Sequence, residues 1–79
     1  MGAKKFIVMM QNYWGRGDSP IEAANVARKQ GGKKPAKRLP KPCLVFSYDP
    51  AETPQAYVNE MGYLCWEGKR PAEVERVGM

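Results

Sequence analysis

Histidine is absent from the 79-residue chain. With it go the commonest general base, the Cys–His nucleophile pair and the Ser–His triad. Cysteine is scarce: Cys43 and Cys65 stand far apart and form no Cys-X-X-Cys pair, and two thiolates without an imidazole make a poor zinc site. Gly15-Arg16-Gly17 reads as a turn and lacks the Gly-Lys-Ser/Thr that a phosphate-cradling loop needs. Asp49, Glu52, Glu60 and Glu67 are spaced so that no shared face for a carboxylate pair is predicted. Together these absences predict a non-enzymatic protein with no catalytic residue, no metal and no cofactor.

Long apolar runs are also missing. Residues 6–10 form a short one that stops at Gln11-Asn12, too short for a signal-peptide core or a membrane span. Gly2 is followed at the sixth position by Phe6 rather than Ser or Thr, which argues against myristoylation. The expectation is a cytoplasmic protein with no membrane partner. One disulfide is arithmetically available, but cytosolic thiols stay reduced, so two free, buried thiols are expected.

What is present suffices for one core. Apolar residues make up 43% of the chain and aromatics 10%, a globular composition. A chain of this size buries only about 60% of its unfolded surface, so 1–79 is expected to be a single small domain with a stability of about 3–5 kcal/mol.

Residues 6–14, β-branched and aromatic, read as one central strand broken by Gly15-Arg16-Gly17. Ser19-Pro20-Ile21-Glu22 then supplies a helix cap, a proline for the first helical position and a capping-box glutamate. The helix should run to Gln30 and end at Gly31-Gly32, with Ile21, Ala23, Ala24, Val26 and Ala27 on its apolar face. Prolines and repelling lysines predict an extended, mobile loop over 31–42. Cys43 to Tyr48 resumes strand character, and Asp49-Pro50 ends it. Residues 55–66 read as a hairpin with Gly62 at the positive-φ place of its loop. The rival reading of that segment is a short helix opened by Thr53-Pro54. The tail 69–79 is expected to be partly ordered, holding one helical turn from Pro71 with Val74 and Val77 docked, or else frayed. The fold class is therefore α+β, one helix packed on a small, mostly antiparallel sheet in strand-helix-strand-hairpin order. One helix covers one face. An uncovered face carrying some of Phe6, Met10, Tyr13, Trp14, Tyr48, Tyr57 and Trp66 would be an apolar contact surface.

Charge is the most informative feature. Arg28, Lys29, Lys33, Lys34, Lys37, Arg38 and Lys41 are seven of the thirteen basic residues, with no acid among them. The rest of the chain carries six basic and eight acidic residues, so the net charge of +5 comes from one helix end and one loop. Such an arm can neutralise phosphates and gain affinity by counterion release. The competing explanation is a solvated loop that keeps the protein soluble. Anionic lipid is a weaker match, because stable anchoring takes a second signal that the loop lacks.

In composition the arm resembles the lysine-proline minor-groove arms of chromatin proteins, without the Arg-Gly-Arg-Pro core of an AT-hook. The Ser19-Pro20-Ile21-Glu22-Ala23-Ala24 helix after a strand resembles the second element of HicB-type antitoxins; the remainder departs from that pattern, and no function is carried across. Tyr13, Trp14, Tyr57 and Trp66 are candidates for base stacking or a partner surface, against core packing as their ordinary role. Arg16-Gly17-Asp18-Ser19-Pro20 reproduces an adhesion tripeptide, but Asp18 and Ser19 stand where a helix start needs acceptors.

The expected function is thus a small accessory binding protein that contacts nucleic-acid phosphates through the seven arm cations. The alternative is a protein-binding modulator, an inhibitor or adaptor of the phage or plasmid kind, that uses an exposed apolar sheet face. The expected partners are a nucleic acid or an acidic protein, with a second copy of the chain as a further candidate.

Overall fold

The computed structural model describes residues 4–78. Six strands and one helix follow in the order β1 (Lys5–Met9), β2 (Trp14–Gly17), α1 (Pro20–Gln30), β3 (Cys43–Tyr48), β4 (Gln55–Val58), β5 (Leu64–Glu67) and β6 (Ala72–Val77). Four form an antiparallel sheet in the order β2-β1-β3-β6, and β4 and β5 form a separate antiparallel hairpin. The α+β class, the single helix and the predominantly antiparallel sheet are those expected from the sequence.

The first strand is a correction. Residues 6–14 are not one strand but the two arms of a hairpin, folded at Gln11-Asn12 and closed by the Met10 N–H donating to the Tyr13 carbonyl at 2.7 Å. Gly15-Arg16-Gly17 is accordingly strand, not turn. The reason lies in the helix above it. A Cβ on Gly15 would sit 2.3 Å from the Ala23 carbonyl oxygen and 2.6 Å from the Ala27 nitrogen, and one on Gly17 would sit 2.8 Å from the Ala23 nitrogen. The glycines let α1 lie directly on β2.

Helix α1 begins and ends as its sequence dictates. The Ser19 hydroxyl accepts from the Glu22 N–H at 3.1 Å. At the other end Gly32 takes φ +71°, with the Gly32 N–H donating to the Lys29 carbonyl and the Lys33 N–H to the Arg28 carbonyl, the paired bonds of a Schellman motif. Ala23, Ala24 and Ala27 are fully buried, whereas Val26 is exposed. Strand register places Phe6 and Val8 with Gly15, Gly17, Val45 and Ser47 on the helix side. There Val8, Val45 and Cys43 pack with the alanines, flanked by Phe6, Met10, Leu39 and Val77.

The opposite face carries Ile7, Met9, Trp14, Arg16, Leu44 and Phe46 by the same register. It is not open. Ile7 is fully buried there, and Met9, Trp14, Leu44 and Phe46 are half-buried. The hairpin β4–β5 roofs part of this face, with Ala56 fully buried and its carbonyl accepting from Arg16 Nη1 at 3.0 Å. The large exposed apolar side chains are on the hairpin, led by Met61 and Tyr63, at Val74 on β6 and at Val26 on α1.

The 55–66 segment is the hairpin reading and not the short helix; Gly62 has φ +84°. The tail forms neither a helical turn nor a frayed end over 72–77. It pairs with β3 as β6, with a register irregularity between Val45 and Phe46 that leaves Val74 unpaired. Local propensity in Ala-Glu-Val-Glu-Arg-Val is weak, and the open edge of β3 supplies the partner. Met79 and Gly2 lie outside the described residues.

Both cysteines are free thiols, Cys43 buried and Cys65 half-buried. Among the described residues no helix is long and apolar enough to cross a membrane.

Candidate nucleic-acid interface

The seven arm cations run from the last turn of α1 through the loop 31–42. Lys29, Lys33, Lys34, Lys37, Arg38 and Lys41 are exposed, and Arg28 is half-buried. Arg28 and Lys29 suit a helix C-terminus, where the macrodipole favours cations. The other five have no such local reason.

The loop is tied to the helix at its middle. Asn25 Nδ2 donates to the Ala36 carbonyl at 3.1 Å, and Asn25 Oδ1 accepts from the Ala36 N–H at 2.9 Å. Arg28 Nη2 donates to the Arg38 carbonyl at 3.1 Å, and Leu39 packs against the core. These contacts fold the loop back beside α1, and Lys33 and Lys41 line one cleft there. Nothing in the composition of 31–42 announces them, and Asn25, one polar residue among several in the helix, gives no sign of its partner.

Among the described residues there are three ion pairs: Lys5–Asp18, Lys69–Glu52 and Arg76–Glu73. All three lie outside the arm. Its cations are therefore not neutralised by the protein's own acids.

The four aromatic candidates do not make one platform. Tyr13 stands with the arm: its ring packs on Gly31, where a Cβ would come within 2.8 Å, and it lines a small cleft of about 130 Å³ that also includes Lys33 and Lys41. Trp14 turns to the other side of the sheet, where the Arg16 guanidinium stacks 5.5 Å from its ring centre. It lines a second cleft, of about 270 Å³, with Met9, Met61 and Glu60. Tyr57 and Trp66 occupy opposite faces of the hairpin, since Ala56 pairs with Trp66 and Tyr57 with Cys65. Trp66 carries Arg70 at 5.7 Å. The polar turn Gln11-Asn12, which contributes to both clefts, was visible in the sequence only as an interruption of an apolar run.

The adhesion-like tripeptide is used by the fold: Arg16 holds β4, Asp18 pairs with Lys5, and Ser19 caps α1. Asp49 Oδ1 accepts from the Ala51 N–H within its own turn, and Glu52 pairs with Lys69. Among the described residues no three acidic or thiol side chains gather where a metal ion could be held. Burial pushes the Cys43 thiol up, with Glu75 adding to the effect and Arg28 opposing it, away from the thiolate character of a nucleophile.

Comparisons with protein-family models, with curated proteins and with solved structures give no match for this chain.

Proposed function

We propose that the chain is a non-enzymatic accessory protein that binds nucleic acid by placing Arg28, Lys29, Lys33, Lys34, Lys37, Arg38 and Lys41 against phosphates. The observation that carries this reading is the separation of charge: seven cations in one stretch from the end of α1 through the loop, with no ion pair among them, on a body whose remaining charge is slightly acidic. The tether through Asn25 supports it, because cations on a tethered loop lose less freedom on binding than cations on a free chain. Replacing Lys33, Lys34 and Lys37 together by Gln should weaken binding to all sequences alike and lower the salt slope by about three, one for each phosphate contact removed. Unchanged affinity in that variant would contradict the proposal.

A protein contact is the second reading, and the exposure of Met61 (78%) and Tyr63 (66%) favours it. The surface is then the loop end of the hairpin rather than the sheet face, part of which β4–β5 covers. If two copies pair there, light scattering will give twice the 8.9 kDa monomer mass, and Met61→Ser with Tyr63→Ser will return the monomer. A monomer at every concentration counts against a homodimer.

A further inference from the structure

The two clefts share one wall. Met10, Gln11, Asn12 and Tyr13, the turn of the β1–β2 hairpin, line both. On one side stand Lys33 and Lys41 with no acid; on the other stand Glu60, Trp14 and Met61, with the Arg16 guanidinium over the Trp14 ring. The ridge thus separates a phosphate-favouring side from a side that offers an indole, a thioether and a carboxylate. Building on the nucleic-acid reading above, we infer that the bound strand is single-stranded and crosses this ridge. Its phosphate lies at Lys33 and Lys41, and one unstacked base enters the Trp14–Met61 cleft.

Size and chemistry both point to a base. At about 270 Å³ the cleft is smaller than the roughly 300–1,000 Å³ of sites that enclose a whole small molecule, so it suits one planar ring of a longer ligand. Trp14, backed by the Arg16 guanidinium, supplies an indole ring, and Met61, 78% exposed, supplies a flexible apolar side chain on the same cleft. Gln11 and Asn12 are exposed and make no side-chain hydrogen bond among the described residues, so their amides are free to meet a base edge. Asn59 is not, because its Oδ1 already accepts from the Met61 and Tyr63 N–H groups. A base in a duplex is stacked and presents only its groove edges, so it cannot enter a cleft between two loops.

The Glu60 carboxylate adds a preference. A carboxylate accepts from the exocyclic amino group of cytosine, whereas thymine offers only its ring N3–H, flanked by two carbonyl oxygens that repel a carboxylate. Cytosine-containing strands are therefore held more tightly than thymine-containing ones.

The test uses the Trp66→Phe variant, in which Trp14 is the only tryptophan. Oligo-dC, oligo-dT and a duplex of the same length are titrated at low salt while Trp14 emission is followed. In parallel, labelled oligo-dC and oligo-dT are bound to the unmodified chain and to Glu60→Gln by fluorescence anisotropy, a measurement that does not depend on the Trp66 substitution. The expected results are quenching of Trp14 by the single strands and not by the duplex, a preference for dC of several-fold, and loss of that preference in Glu60→Gln. Trp14→Leu should weaken single-strand binding by about tenfold, the scale of one lost stacking contact. Binding that is salt-dependent yet leaves Trp14 unquenched, or is indifferent to Glu60→Gln, overturns the base site and leaves the phosphate reading standing. Absence of binding to every oligonucleotide overturns both.

Discussion

Gly15 has no room for a β-carbon, and the obstruction is backbone: the Ala23 carbonyl and the Ala27 nitrogen. Neither can move without lifting α1 from the sheet. Gly15→Ala should therefore cost about 2 kcal/mol or more, as overpacking does where the neighbour cannot yield, read as a fall in the urea midpoint. The same residue shows why part of the fold was hidden. A Gly-Arg-Gly run reads as a break in any single sequence, and only the helix lying on it reveals a strand. Ser19 is the opposite case, because its capping role depends on neighbours three residues away and was legible at once. The two thiols differ in access, Cys43 being buried and Cys65 half-buried. Cys65 should react with a thiol reagent in the folded protein and Cys43 only after unfolding, so one equivalent is consumed natively and two in denaturant. Burial, which holds the Cys43 thiol above its ordinary value near 9.0, also sets a pH dependence. As pH rises through that ordinary value the unfolded chain loses the proton while the folded chain keeps it, so stability falls. Urea midpoints measured upward from neutral pH should decline, and Cys43→Ala should flatten the decline. Lys5, raised above 10.5 chiefly by its hydrogen bond to Asp18, adds to the loss only at higher pH.

Elements differ in how far they announce themselves. Helix α1 carries its start, its apolar face and its stop within itself, and the β4–β5 hairpin carries Gly62 at its loop. Strand β6 carries almost nothing. Its residues are exposed from Ala72 to Arg76, and it becomes a strand because β3 would otherwise present an open edge. As the new edge it is guarded by Glu73, Glu75 and the irregularity at Val74, devices that discourage further pairing. The loop 31–42 is the element on which the site depends. Asn25→Ala removes both of its bonds to Ala36, each contributing about 1 kcal/mol. Faster hydrogen exchange at Ala36 and its neighbours is expected, with the sheet amides unaffected. Protection unchanged in the variant would show that Leu39 and Arg28 hold the loop without Asn25.

The whole molecule is two bodies of opposite charge in one small fold. The ion pairs among the described residues lie on β1 and the turn before α1, in the loops flanking the β4–β5 hairpin and on β6, and the helix end with its loop holds the unneutralised cations. The composition of the arm was readable from the chain. Its placement was not, because it depends on Asn25 reaching across to Ala36 and on Tyr13 packing on Gly31, contacts between segments with no shared pattern. The central claim is that these cations meet phosphates. It is tested most directly by the affinity of the unmodified chain for an oligonucleotide over a salt series from about 50 to 200 mM. With 4–5 of the seven cations on phosphates, log K is predicted to fall against log salt with a slope of roughly −4. A slope near zero, or no binding at the lowest salt, would contradict the account.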